Sequence, residues 1–183
     1  MKTLGLIQTD STALLVIDIQ ERLMPVVQDK EKVFLNTNRL IKAAQQLKIP
    51  TIITEQYPNG LGHTCTEIEI SEPTQVIEKI CFSCIQSEQV METLKNKNIK
   101  SLIICGVEAH ICVLKTALEA MNIGIEVHIV ADAVSSRTKD NKNYALERMK
   151  QSGAFIVSTE MILFQLIDKA GTDTFKFISK LIK

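Results

Sequence analysis

The sequence predicts an α/β protein of three layers, with a six-stranded parallel sheet between two sets of helices. Short apolar, β-branched runs recur along the chain, and most are separated by stretches of helical periodicity. Charged or reactive residues stand where several of these runs end. Strands buried on both faces read as continuous apolar runs, and strand–helix alternation implies parallel crossovers.

Ala13 to Ile17 reads as the first strand and ends at Asp18; Glu21 to Lys30, broken by Pro25, reads as irregular. Val33, Leu40, Ile41, Ala44 and Leu47 share one face of a helix over 32–47, which Pro50 ends. Thr51 to Thr54, β-branched throughout, is the second strand. Residues 55–73 form a long connection with Tyr57-Pro58-Asn59-Gly60 as a turn signal. A connection of that length in a compact domain is usually functional or covers something.

Gln75 to Lys79 is the third strand, followed by a helix over 87–98. Leu102 to Cys105, bounded by Gly106, is the fourth. A helix starts at once, with Ile111, Leu114, Leu118 and Met121 on one face. Ile125 to Ala131 is the fifth strand, 132–138 a polar loop, and 140–152 a helix. Ala154 to Ser158 is the sixth strand, and helical patterns over 160–169 and 173–183 close the chain. The length of 183 residues suits one domain, 1–183.

The 21 basic and 21 acidic residues cancel, with no basic run. That removes the electrostatic reason to expect nucleic acid or an anionic membrane surface as partner. No apolar run reaches membrane-spanning length, and the first residues do not read as a signal peptide. Five cysteines, an odd number at scattered positions, fit a reducing compartment, so a cytoplasmic protein is expected. Cys81 and Cys84 form a C-x-x-C, but no second ligand pair accompanies them, and core packing is the better account.

Chemistry concentrates at strand ends. In a parallel sheet all carboxyl ends share one edge, where open α/β sheets bind ligands. Asp18, Lys79 and Cys112 can therefore converge although far apart in sequence. Cys112 stands in or beside a first helical turn, where the dipole favours thiolate. The three suit nucleophilic catalysis: Cys112 attacks a carbonyl carbon, Asp18 moves the proton, and Lys79 positions and tunes Asp18. Gln20 could reach the same site or cap a turn, Tyr57 could wall it from the long loop, and Phe82 is wall or core. His63 lacks partners for a metal, and His110 stands too close to Cys112 on a helix to pair with it.

Leu15-Val16-Ile17-Asp18-Ile19-Gln20, Lys79 with Phe82-Ser83, Gly106-Val107-Glu108-Ala109-His110-Ile111-Cys112-Val113 and Val130-Ala131-Asp132-Ala133 together resemble the isochorismatase-like cysteine hydrolases. The resemblance implies that family's Rossmann-like fold and a catalytic triad of Asp18, Lys79 and Cys112. It implies a cis peptide between Val107 and Glu108, with the backbone N–H groups of Glu108 and Cys112 as oxyanion hole. Relatives commonly form dimers or larger rings, so a homo-oligomer is implied. Where metal-binding nicotinamidases of this family carry an Asp-x-His, this chain has Gln56 and Pro58, so neither metal nor cofactor is expected. Isochorismatase proper acts on a vinyl ether without needing the cysteine. The presence of Cys112 thus points to a small-molecule amide-type substrate. The alternative is a scaffold or regulatory protein that keeps the fold with little catalysis. A dinucleotide-binding protein is excluded, because Asp18-Ile19-Gln20-Glu21-Arg22-Leu23 replaces the glycine-rich turn.

Overall fold

A computed structural model describes residues 4–70 and 74–183. The first residues of the amino-terminal segment, 1–3, and the end of the long connection, 71–73, lie outside it. The strands are β1 (Thr12–Ile17), β2 (Thr51–Gln56), β3 (Gln75–Lys79), β4 (Ser101–Gly106), β5 (Glu126–Val134) and β6 (Phe155–Val157). The helices are α1 (Lys30–Gln46), a single turn α2 (Pro58–Leu61), α3 (Glu88–Asn96), α4 (Leu114–Asn122), α5 (Lys139–Gln151), α6 (Thr159–Gln165) and α7 (Asp173–Ile182). All strand pairs are parallel, in the order β3-β2-β1-β4-β5-β6. The order turns outward in both directions from β1 and β4, and the carboxyl ends at such a switch point are where open α/β sheets bind ligands.

Every residue of β1 is buried, because helices cover both faces of the sheet. Leu14 and Val16 pack on one side with Val33 and Leu40 of α1, Ile162 of α6 and Ile178 of α7. Ala13, Leu15 and Ile17 point the other way, to Val90 of α3, Ala117 of α4 and Met149 of α5. The two-residue period of a strand therefore feeds two separate cores. Each fully buried Leu or Ile contributes about 1.5–3 kcal/mol. The closing helices α6 and α7 also meet each other, through Phe164 and Phe175 edge to face at 6.3 Å.

Two strands run further than their apolar stretches. β5 continues through Asp132 to Val134, where a polar loop is expected from sequence. The Asp132 carboxylate accepts the Thr159 N–H at 2.8 Å and its hydroxyl at 2.9 Å, so the polar side chain is satisfied inside the sheet. β2 likewise continues through Glu55 and Gln56, both buried, which pair in register with Glu78 and Lys79. The long connection therefore begins two residues later than its composition suggests. Elsewhere Ser87, Thr138, Ser158 and Thr172 cap the helices that follow them, each side chain accepting a backbone N–H.

Candidate active site

Asp18 follows β1 directly, with a left-handed backbone at φ 52° that aspartate tolerates better than most residues. Its N–H donates to the Thr54 carbonyl at 3.1 Å, which keeps the strand pairing intact to that point. The carboxylate is fully buried. Lys79 Nζ donates to Oδ2 at 2.7 Å and the Thr54 hydroxyl to Oδ1 at 2.7 Å. Lys79 reaches across β2 from the sheet edge, and Gln56 Oε1 accepts a second bond from it at 2.7 Å. Both members of the ion pair have 0% side-chain exposure.

Cys112 comes near the same carboxylate from the turn after β4. β4 ends at Gly106, whose φ of +111° and contact with the Ile17 backbone leave no room for a Cβ. The Val107–Glu108 peptide is cis, and a π-helical turn, Ala109–Val113, leads into α4. Within that turn the Cys112 thiol comes close enough to the Asp18 carboxylate for each to act on the other's charge. Among the described residues the Glu108 N–H meets no backbone acceptor.

Burial raises the Asp18 carboxyl above its ordinary range, against the pull of Lys79, Thr54 and Cys112. Burial works to lower the Lys79 ammonium, but the facing Asp18 charge and the two nearby thiols outweigh it, and Lys79 is held protonated. The Cys112 thiol is pushed well above the usual cysteine range, first by burial and then by the Asp18 charge. This corrects the expectation of a thiol ionised by the helix start. Here desolvation and a facing carboxylate outweigh the dipole and Lys79. The resting arrangement is a neutral thiol beside an unusually basic carboxylate.

The remaining sequence candidates have other positions. Gln20 braces the segment after β2. Its Nε2 donates to the carbonyls of Gln56 at 3.0 Å and Gly62 at 2.6 Å, and Oε1 accepts the Gln56 N–H at 2.6 Å. Both amide hydrogens and the oxygen are engaged, and the residue is fully buried. Tyr57 and Phe82 are each 53% exposed; the Tyr57 N–H donates to the Lys79 carbonyl at 2.9 Å, and the Tyr57 ring lies against Gly60. Cys84 is buried in the core, its sulfur 3.8 Å from the Thr54 hydroxyl, and burial pushes its thiol up to about 11. Cys81 is half-buried. His63 joins Glu55 at 3.0 Å, and His110 joins the Ser136 hydroxyl at 3.0 Å. No group of three or more potential metal-ligating His, Cys, Asp or Glu side chains occurs among the described residues.

Sequence reasoning missed Thr54 and the role of Gln56. Thr54 reads as one more β-branched strand residue. Gln56 stands out only as a departure from a metal-binding pattern. The available signal was register: two more residues of β2 set Gln56 opposite Lys79.

Comparison with known proteins agrees with this fold. The Isochorismatase domain family matches residues 12–161. A secreted isochorismatase effector of Phytophthora sojae is 41% identical over all of this chain and 89% of its own length. Isochorismatase domain-containing protein 2 of Danio rerio is 41% identical over all of this chain and 92% of its own. The solved structure of the MAR1 ribonuclease of Caenorhabditis elegans superposes with a TM-score of 0.91 at 37% identity, covering 96% of this chain and 91% of the other. No described helix is long and apolar enough to cross a membrane. With the Isochorismatase domain matched over most of its length and a six-stranded parallel sheet beneath it, the chain belongs to the isochorismatase-like hydrolase family.

Proposed function

We propose that this protein hydrolyses the C–N bond of a small amide-type compound through a covalent intermediate on Cys112. The observation that carries this reading is the Asp18 carboxylate. It is buried, held by Lys79 and Thr54, and near enough to the Cys112 thiol to act on its charge. A basic carboxylate beside a neutral thiol is suited to taking its proton at the moment of attack, so thiolate need not exist beforehand.

The steps balance as follows. Asp18 takes the Sγ proton while sulfur bonds to the carbonyl carbon. The N–H groups of Glu108 and Cys112 receive the developing oxyanion. The C–N bond breaks as Asp18 returns the proton to the leaving nitrogen, which leaves a thioester. Water, deprotonated by Asp18, attacks the thioester carbon; the acid departs and the sulfur recovers its proton. Lys79 keeps Asp18 in place and ionised between steps. Each oxyanion donor contributes about 2.7–4 kcal/mol of barrier reduction in comparable sites.

The ribonuclease activity named for the Caenorhabditis elegans relative is not carried over. The even balance of 21 basic and 21 acidic residues supplies no general electrostatic bias toward phosphates. The homo-oligomer implied by the family resemblance is retained as part of the proposal, to be read by light scattering.

The test is iodoacetamide labelling with peptide mapping against pH, in wild type and Asp18→Asn. Cys112 should label with a profile that moves to lower pH in Asp18→Asn, because the charge opposing thiolate is gone while Lys79 remains. Turnover of any amide found by screening should fall by about 10²–10⁴-fold in the same variant. An unchanged labelling profile would uncouple Cys112 from Asp18, sink the triad and favour the scaffold reading.

A further inference from the structure

Glu108 carries an anomaly for a residue assigned to an oxyanion hole. Its side chain is a carboxylate with only 9% exposure, placed one side chain away from an N–H that must receive negative charge. Left alone, that carboxylate would oppose the developing oxyanion. It is not left alone. Arg137 Nε donates to Glu108 Oε1 at 2.8 Å, from the loop after β5.

That loop runs along the whole turn. The Ser135 carbonyl accepts the Ala109 N–H at 2.8 Å, the Ser135 N–H donates to the Gly106 carbonyl at 3.4 Å, and the Ser136 hydroxyl meets His110 at 3.0 Å. Ser135 and Ser136 are themselves buried and tied to Gln28, through the Ser135 hydroxyl at 2.7 Å and the Ser136 carbonyl at 3.1 Å. Backbone and hydroxyl contacts already position the Val107–Val113 turn, so bracing alone does not require a charge at 137. We propose that Arg137 is an electrostatic positioning residue that cancels the Glu108 carboxylate beside the oxyanion site. Its work is to keep the donors of that site attractive to negative charge. This inference rests on the nucleophile and oxyanion roles proposed above.

The experiment compares two reactions of the same thiol. p-Nitrophenyl acetate acetylates sulfur through a tetrahedral oxyanion: the S–C bond forms, p-nitrophenolate leaves, and Asp18 takes the thiol proton. Iodoacetamide alkylates sulfur at a saturated carbon, displacing iodide, and builds no oxyanion. The ratio of the two rates at Cys112, measured at one pH, removes changes in thiol ionisation common to both. Arg137→Gln should lower that ratio about tenfold, since an unpaired charge close to the oxyanion acts in a partly desolvated site. The double variant Glu108→Gln/Arg137→Gln should restore the ratio to within about threefold of wild type, because it removes the offending charge together with its partner. Arg137→Lys keeps the charge without the guanidinium fork and should stay near the wild-type ratio; Arg137→Met, which should fall as far as Arg137→Gln, carries the test if Arg137→Gln does not fold.

A ratio unchanged in Arg137→Gln overturns the inference. So does a double variant as slow as the single one, or Arg137→Lys falling as far as Arg137→Gln, since either marks a purely structural brace. Wild-type protein that is not acetylated at Cys112 would overturn the nucleophile reading, and this inference with it. Acetylation with an unmoved ratio overturns this inference alone.

Discussion

Two carboxylates stand at the carboxyl ends of neighbouring strands, each facing a cation, and they have opposite properties. Asp18 and Lys79 meet at 2.7 Å with neither side chain exposed. Glu55 and His63 meet at 3.0 Å, the carboxylate 7% and the imidazole 73% exposed. Burial opposes ionisation at both. At Glu55 it is overcome by the Thr64 N–H, by His63 and by the Thr64 hydroxyl, which hold the carboxyl below its usual range. At Asp18 burial prevails despite Lys79. The difference teaches that proximity of a cation does not by itself set a carboxylate's basicity; desolvation and the sum of donors do. Glu55 meets three partners, the Thr64 N–H, the Thr64 hydroxyl and His63, and ties a loop to the sheet. Asp18 accepts from Lys79 and Thr54 and acts on the charge of the Cys112 thiol, whose proton is the one the proposed chemistry moves.

The comparison breaks most visibly if Lys79 is removed. Lys79→Met leaves a buried carboxylate without its counter-charge, a defect that costs about 3–5 kcal/mol. Urea unfolding near neutral pH should show that loss, and Asp18→Asn/Lys79→Met should recover most of it. A Lys79→Met loss below about 1 kcal/mol would mean that Asp18 is already neutral in the folded protein, reducing the ion pair to a hydrogen bond.

A smaller effect tests the neutral donor. Thr54→Val keeps the shape of the β2 side chain and removes the hydroxyl at Asp18 Oδ1. One lost bond to a buried carboxylate costs about 1–3 kcal/mol. The Asp18 carboxyl should rise further, moving the acid limb of any activity profile to higher pH. A stability loss without that movement would assign Thr54 to packing alone.

The strand ends also show how far sequence reaches. Asp18, Lys79 and Cys112 are legible because each terminates or follows an apolar run, and a parallel sheet gathers such ends on one edge. Thr54 and Gln56 are not, because their roles depend on register across strands distant in sequence. Composition reads Glu55 and Gln56 as loop, since isolated polar residues resemble a connection. Only the satisfied hydrogen bonds of Glu55 to Thr64 and of Gln56 to Gln20 let β2 continue through them. Asp132 extends β5 by the same device. The thiol's ionisation is not legible for a related reason: the helix start is visible in sequence, while burial and the nearby Asp18 charge arise from the fold.

The smallest expected effect lies at the exposed pair, and its sign follows from the two shifts. His63 is raised, chiefly through its hydrogen bond to Glu55, so its contribution is full below the ordinary histidine range and fades as pH rises through the raised value. Glu55 is lowered, so its contribution is full above the ordinary glutamate range and fades as pH falls through the lowered value. The pair therefore acts only in the window between these limits. Thermal unfolding of wild type and His63→Ala should part slightly near about pH 6 and coincide near about pH 9, where imidazole carries no charge. In Glu55→Gln the upper limit should disappear as well, because His63 then has no carboxylate to meet. The Thr64 donors would still bind the amide oxygen, so Glu55→Gln should keep the loop in place and lose only the pH dependence. If His63→Ala instead matched the loss in Lys79→Met, the exposed pair would be as important as the buried one, and desolvation would not be what separates them.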